Sequence, residues 1–437
     1  MNVIFFALVL ISFVVAGFRQ VTWTPPAGGA EPGTAPMEML GAGMIKAAEG
    51  SVTLAIGLVG VMALFLGLMK VAEAGGLLLI IAKTVRPLMV RLFPEVPPDH
   101  PAMGSIILNM SANALGLGNA ATPFGIRAMQ QLDELNPHKG TATNAMALFL
   151  AINTSSVTLL PTGVIALRAA AGSSDPAGIL PTTLFATICS TTVAIIMAKM
   201  LQRVSAAPAL EDAPAEASTV ETAELDADNA ALEAHASEAY PAWISWTVLA
   251  CIAALVPLTV LYGKAIAPWI VPGLMLVLLG FGVLRRVRVY EIFVEGAKDG
   301  FQVALRIIPY LVAILVAVGM LRASGALEML ITPLGAVTGL VGLPAEALPM
   351  ALLRPLSGSG AYGVLASIIN DPAIGPDSYT GYLVSTLQGS TETTFYVLAV
   401  YFGAVQIRRI RHALAAALCA DAAGIAGAVI IVAWLYG

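Results

Sequence analysis

Charge is scarce in this chain. Asp, Glu, Lys and Arg make up 11% of its 437 residues, where a soluble domain carries roughly 25%, and the shortage excludes an ordinary water-soluble globular protein. Cysteine is scarcer still. Cys189, Cys251 and Cys419 stand far apart, each inside an apolar run, which excludes a disulfide framework and leaves thiols acting as small buried hydrophobes. The histidines, His100, His138, His235 and His412, occur singly and without metal-ligand spacing, so no metal is expected. Lys and Arg never form a patch interleaved with aromatics, so no nucleic acid partner is expected. No nucleophile with a base and an orienting group can be picked out either, and the chain reads as a non-enzyme.

What is present is apolar. Hydrophobic residues make up 58% of the chain and the mean hydropathy is +0.85, the composition of an all-α polytopic membrane protein whose first partner is the lipid bilayer. A hydrocarbon core about 30 Å thick needs roughly 20 apolar residues per spanning helix. Candidate membrane segments fall near residues 2–17, 51–69, 74–93, 101–117, 141–170, 178–201, 242–262, 266–284, 302–322, 325–342, 346–370, 379–403 and 412–436. Several of them are too polar in the middle to be simple spans. The first lacks a preceding basic residue and a small-residue cleavage site, and is expected to be a retained helix rather than a signal peptide.

Between residues 205 and 241 the chain turns acidic, with no Lys or Arg. One sign of charge with low hydrophobicity predicts a solvated linker, with a partner-binding tail as the sharper alternative. The linker divides the chain into a first membrane half, 1–204, and a second, 242–437. Lys199 and Arg203 precede it, Arg285, Arg286 and Arg288 follow the next two expected spans, and Arg408, Arg409 and Arg411 precede the last helix. By the positive-inside rule the linker is cytoplasmic and the C-terminus outside, while the orientation of the first helix stays open.

Each half carries two polar interruptions in apolar runs, which suggests an internal repeat. The first half has PAMGSIILNMSANALGLGNAATPFG, 101–125, and INTSSVTLLPTGV, 152–164; the second has PMALLRPLSGSGAYGVL, 349–365, and QGSTETTFYVL, 388–398. Backbone that leaves the helix inside a bilayer is tolerated only where protein or a water-filled cavity surrounds it. Interrupted helices repeated in two halves point to the binding site of a secondary transporter, near mid-depth.

The candidates lie in these interruptions. Asn109, Ser111 and Asn113 can line a cavity, whereas Gly116 and Gly118 also fit simple close packing of helices. Asn153 and Ser155 have more polar capacity than back-bonding needs; Ser156, beside them, and Thr158 can instead bond to their own helix. In the second half Arg354, Ser357 and Ser359 share one stretch and Ser390, Thr391 and Glu392 another. Arg354 and Glu392 can form a buried ion pair that fixes two helices, or Glu392 can bind solute or proton with Arg354 neutralising an anion. Arg306 and Asp421 are weaker candidates.

At these residues the chain resembles a known family. NMSANALGLGNAATP and NTSSVTLLPT resemble the spore-maturation protein A signature, and LSGSGAYGVL with GPDSYTGYLVSTLQGSTETTFYVLAVYFG that of spore-maturation protein B. The whole resembles a fusion of the two, within the nucleoside-recognition or Gate group, distantly like concentrative nucleoside transporters. The resemblance implies a hairpin-tip motif at Gly389-Ser390-Thr391-Glu392, where the transporters carry Gln in place of Ser390, and a ribose-contacting motif at Asn153-Thr154-Ser155-Ser156. The two motifs stand in reversed order along this chain.

The expected protein is thus a multi-pass protein of the inner membrane, with two pseudo-repeated halves contributing broken or re-entrant helical hairpins to a midplane polar cavity. The expected function is secondary transport of a small polar solute, nucleoside-like or an organic anion, coupled to Na⁺ or H⁺ and needing no other cofactor. A homo-oligomer is compatible with this reading. The alternative is a non-transporting scaffold of spore-maturation type whose polar tips hold helices together and whose linker recruits a partner.

Overall fold

A computed structural model describes residues 2–25, 35–116, 118–205 and 240–437. Most of the acidic linker lies outside them. The helices of the first half are α1 (Asn2–Thr22), α2 (Pro36–Ala74), α3 (Leu77–Leu92), α4 (Pro101–Ala114), α5 (Gly118–Glu134), α6 (Asn144–Thr154), α7 (Thr162–Ala170) and α8 (Ile179–Leu201). Those of the second are α9 (Ala242–Leu284), α10 (Val289–Ala323), α11 (Ala326–Thr338), α12 (Leu348–Leu353), α13 (Gly358–Ile369), α14 (Tyr379–Ser390), α15 (Thr394–Ala404) and α16 (Ala413–Tyr436). Among the described residues no strand forms, only one isolated bridge between Thr141 and Arg409. The chain is an all-α membrane protein.

Length and hydropathy qualify α1 from Phe5, α8 and α16 as membrane spans, and the pair formed by the end of α2 and α3 as a fourth, bent by 68°. The bend falls at Gly75-Gly76, and Gly76 takes φ 85°, which only glycine adopts freely. In the second half α10 ends the same way, at Gly325 with φ 76°. Polar caps start the shorter helices: the Thr143, Ser357 and Ser378 hydroxyls accept from the backbone N–H groups of Met146, Gly360 and Gly381. One expectation is corrected. Where hydropathy predicts two spans, 242–262 and 266–284, α9 runs without a break through Gly263 and Lys264. A glycine within a helix costs only about 1 kcal/mol relative to alanine and does not end it. The two-span premise for placing Lys199 and Arg285 on one side therefore falls.

Packing follows small residues. Helices α2 and α10 run antiparallel in close contact: a Cβ on Gly300 would lie 2.7 Å from Ala63 Cα, and one on Gly296 2.7 Å from the Leu66 carbonyl oxygen. In α16, Gly424 and Gly427 meet Ser190 and Cys189 of α8, and the Ser190 hydroxyl donates to the Ala420 carbonyl at 2.8 Å. With no hydrophobic driving force between helices in lipid, such close backbone approach is what holds them together.

The two ends of the molecule show how the halves are oriented. At one end the loop before α6 meets the loop after α15: Arg408 and Arg409 N–H groups donate to Gly140 O, and Ala142 N–H donates to Arg409 O at 2.9 Å. Arg411, just before α16, donates to Ala142 O and to Ser205 O beyond α8. At the other end the loop after α7 meets the loop before α14. Arg168, fully buried, donates to Pro376 O at 2.6 Å and to the Asp377 carboxylate at 3.0 Å, and its guanidinium lies 4.2 Å from the Tyr382 ring. The Tyr436 hydroxyl, at the end of α16, donates to Gly178 O at the start of α8. The pair α6–α7 therefore runs from the first end to the second, and α14–α15 runs back.

Two outcomes test this packing. Gly300→Val drives a side chain into the backbone of α2 and should lower the melting temperature of the purified protein, at a cost of about 1–3 kcal/mol. For Asp377, in a loop outside the spans, burial pushes the carboxyl upward, but bonds from Ser173, from the Ser174 N–H and hydroxyl, and the charge of Arg168 outweigh it and hold the group below its ordinary value. A carboxylate depressed in the folded state stabilises above its unfolded value and loses that contribution as pH falls through the folded one. Asp377→Asn should therefore be less stable than the parent at neutral pH, and the difference should close as the medium is acidified through the carboxylate range.

Candidate functional site

All four interruptions meet. Helices α4 and α5 form a re-entrant hairpin, held across its arms by Ser105 Oγ donating to Gln131 Oε1 at 2.6 Å and Asn109 Nδ2 donating to Ala121 O at 2.7 Å. Its tip carries Gly116, at φ 75°, where a Cβ would collide with Leu160 O. That oxygen belongs to the break between α6 and α7, whose Leu159 N–H donates to Ala114 O at 2.8 Å. In the second half the turn between α12 and α13 meets the break between α14 and α15, with Phe395 N–H donating to Pro355 O at 3.2 Å. One bond joins the two breaks across the halves, from Glu392 N–H to Thr154 O at 2.8 Å.

Arg354 holds the second break. It is 6% exposed. Its Nε donates to Gln388 O at 3.0 Å, Nη1 to Thr393 Oγ1 at 3.1 Å and Nη2 to Thr391 O. Gln388 and Thr391 stand at the C-terminal end of α14, where helix carbonyls lack intrahelical donors and the dipole favours a cation. The Glu392 carboxylate lies 3.6 Å from the same guanidinium and is half exposed.

Between these elements lies a cavity of about 740 Å³. The four interruptions supply Asn113 and Gly116, then Thr158 and Leu160, then Arg354 and Gly358, then Gln388 and Glu392. Helices α2 and α10 close another side with Lys70, Glu73, Asp299 and Gln302. Lys70 and Glu73 pair at 3.6 Å. The first turn of α7 also opens here; a Cβ on Gly163 would lie 2.6 Å from the Tyr362 hydroxyl.

Of the residues singled out by sequence, Asn113, Arg354 and Glu392 line this cavity. Asn153 stands directly behind, accepting from Asn113 Nδ2 at 3.0 Å and donating to Phe149 O. Asn109 contacts the Tyr401 hydroxyl at 3.2 Å, inside the hairpin packing. The Ser111, Ser155 and Ser390 hydroxyls donate to carbonyls of their own helices, Ile107, Ala151 and Leu387. Ser357 caps α13. Ser156 and Thr391 are buried beside the breaks, and Ser359 is exposed. The side chain of Arg306 lies outside the described residues. Sequence reasoning passed over Lys70, Glu73, Asp299 and Gln302, although a charged pair in the last turns of α2, just before a Gly-Gly bend, was the available signal. It also passed over Arg168 and Asp377.

Comparison with known proteins agrees with this picture. The family model described as Gate, nucleoside recognition, matches residues 55–171 and 304–408. Spore maturation protein B of Bacillus subtilis (strain 168) is 46% identical over 173 residues, 40% of this chain and 94% of that protein. Spore maturation protein A of the same organism is 49% identical over 154 residues, 35% of this chain and 79% of that protein. Similarity to both within one chain is that of a fusion. No solved structure matches significantly.

The geometry separates two roles that a simple ion pair would merge. Arg354→Lys removes donors from a buried helix end, where each bond to a charged group is worth about 1.5–3 kcal/mol, and should lower the melting temperature markedly. Glu392→Gln gives up only a half-exposed contact, worth about 1 kcal/mol or less, and should leave melting nearly unchanged.

Proposed function

Because the chain belongs to the nucleoside-recognition (Gate) family, we propose that it is a secondary transporter carrying a small polar solute across the inner membrane, coupled to Na⁺ or H⁺, and not an enzyme. The observation that carries the proposal is the meeting of two oppositely directed broken helices at one polar cavity built by both halves. Its volume lies within the roughly 300–1,000 Å³ of small-molecule pockets. A relation of one half to the other by an inverted repeat, divided at the acidic linker, accounts for the matching order of helices and breaks.

The charge of the lining supports one solute class over the other. Lys70 and Arg354 supply two cations and Glu73, Asp299 and Glu392 three carboxylates, so a fully ionised lining carries one net negative charge. That disfavours an organic anion and favours a neutral, hydrogen-bonding solute of nucleoside type. Arg354 is occupied by the break and leaves Glu392 as the carboxylate free to engage solute hydroxyls or amides, with Asn113 lining the same cavity and Asn153 fixing the Asn113 amide. Lys139, Lys199, Arg203, Arg408, Arg409 and Arg411 belong to the end where α8 and α15 finish, which the positive-inside rule places in the cytoplasm, with the end of α16 outside.

The scaffold reading has one observation in its favour, the return of the Ser111, Ser155 and Ser390 hydroxyls to their own helices. Uptake of labelled nucleosides into proteoliposomes separates the two. Transport predicts saturable uptake in the parent and at least a tenfold loss in Glu392→Gln at unchanged melting temperature. Absence of uptake of any solute under Na⁺ and H⁺ gradients alike supports the scaffold.

A further inference from the structure

Asp421 is the ninth residue of α16, about 12 Å along the helix from its start and so deep within a span. It is 3% exposed. One carboxylate oxygen, Oδ2, accepts from the Thr394 hydroxyl at 2.7 Å, and the other, Oδ1, has no partner among the described residues. Thr394 is the first residue of α15, so this single bond ties Asp421 to the break that carries Glu392. Around it α16 presents Ala417, Ala420 and Gly424, and α8 brings Ser190, whose hydroxyl is already given to Ala420 O.

The charged groups that face it are few. Arg354 acts on Asp421 from the break, but its donors are turned to Gln388 O, Thr391 O and Thr393 Oγ1. Glu392 lies at the cavity side of the same break. Of the helices packed against α16, α6 carries no titratable side chain, α15 carries Tyr396 and Tyr401, α8 carries Cys189 and, in its last turn, Lys199, and α14 has Tyr379 and Tyr382 in its opposite end. On α16 itself stand Cys419 and Tyr436. An ionised carboxylate with one hydrogen bond, whose single nearby cation Arg354 has its donors committed to the break, is costly in such surroundings, and the group neutralises instead.

We propose that Asp421 holds a proton in this packed state and is the coupling group of the transport cycle. The inference rests on the transporter reading for its purpose and selects H⁺ over Na⁺. The step is a simple protonation: one proton passes from hydronium to a carboxylate oxygen, leaving water and the neutral acid. Loss of that proton leaves a buried charge at the first turn of α15, which draws the Arg354 guanidinium away from the carbonyls of α14 and loosens the break. Proton binding thereby reaches the cavity through Thr394 and Arg354 without Asp421 touching the solute.

Infrared spectroscopy of the purified protein at neutral pH tests the protonation without any solute. A protonated carboxylic acid C=O band is expected in the parent and in Glu392→Gln, lost in Asp421→Asn, and shifted in Thr394→Val, which removes the hydrogen bond to Oδ2. Should Asp421→Asn fail to fold, Asp421→Glu serves, with the band retained and displaced. A parent without the band, or a band indifferent to all changes at Asp421 and Thr394, overturns the proposal. A band that behaves as expected in a protein that moves no solute sinks the transporter reading and leaves the proton site standing. Where uptake occurs, Asp421→Asn should abolish its acceleration by an imposed pH gradient, and undiminished acceleration overturns the coupling role.

Discussion

The hydrogen bond from Glu392 N–H to Thr154 O is the contact on which the site depends. A chain that leaves the helix inside hydrocarbon exposes donors and acceptors that lipid cannot satisfy, at several kcal/mol each. Here each break supplies what another lacks. The hairpin tip at Gly116 accepts the first break, the turn at Pro355 accepts the second, and the bond between Thr154 and Glu392 closes the set. None of the four interruptions can straighten without stripping a partner from its neighbour, so the cavity is a consequence of mutual pairing and not a gap left by poor packing.

Pairing also sorts the polar residues into those that build the site and those left over to use it. Hydroxyls bonded back to the preceding turn, as at Ser155 and Ser390, satisfy local backbone and offer little to a solute. Arg354 is committed to the carbonyls at the end of α14. What remains available at the cavity is the Glu392 carboxylate, the Asn113 amide and the charged groups of α2 and α10. The dual role that sequence suggests for Arg354, ion pair or anion receptor, thus gives way to a third, the cap of a helix that ends in mid-membrane.

The interruptions were legible because a bilayer tolerates clustered Asn, Ser and Gly inside an apolar run only where protein or water meets their polar groups, and that signal alone marks all four. Their partners were not legible. Nothing local in IALRAA or PDSY announces that Arg168 will meet Asp377 some 200 residues away, and hydropathy cannot tell that a span is re-entrant, as at α4–α5, rather than crossing. The reverse error arises at α9, where Gly263 and Lys264 lower the hydropathy without stopping the helix. Local composition reports where the backbone departs from a helix; pairing across the fold decides what the departure is for.

The opposed directions of the two broken spans carry the functional argument further. Helix α6 ends and α7 begins at the same depth where α14 ends and α15 begins, so the C-terminal end of one broken helix faces that of the other across the cavity. Two negative dipole ends converging on one point need compensation. Arg354 provides it for α14, and the Glu392 N–H and the Thr191 hydroxyl, given to Thr154 O and Ser155 O, provide it for α6. The compensation is unequal, a full charge on one side and neutral donors on the other. A shift of Arg354 therefore unbalances the crossing point more than any other single motion, and the group best placed to cause it is Asp421 on losing its proton, joined to the same break through Thr394.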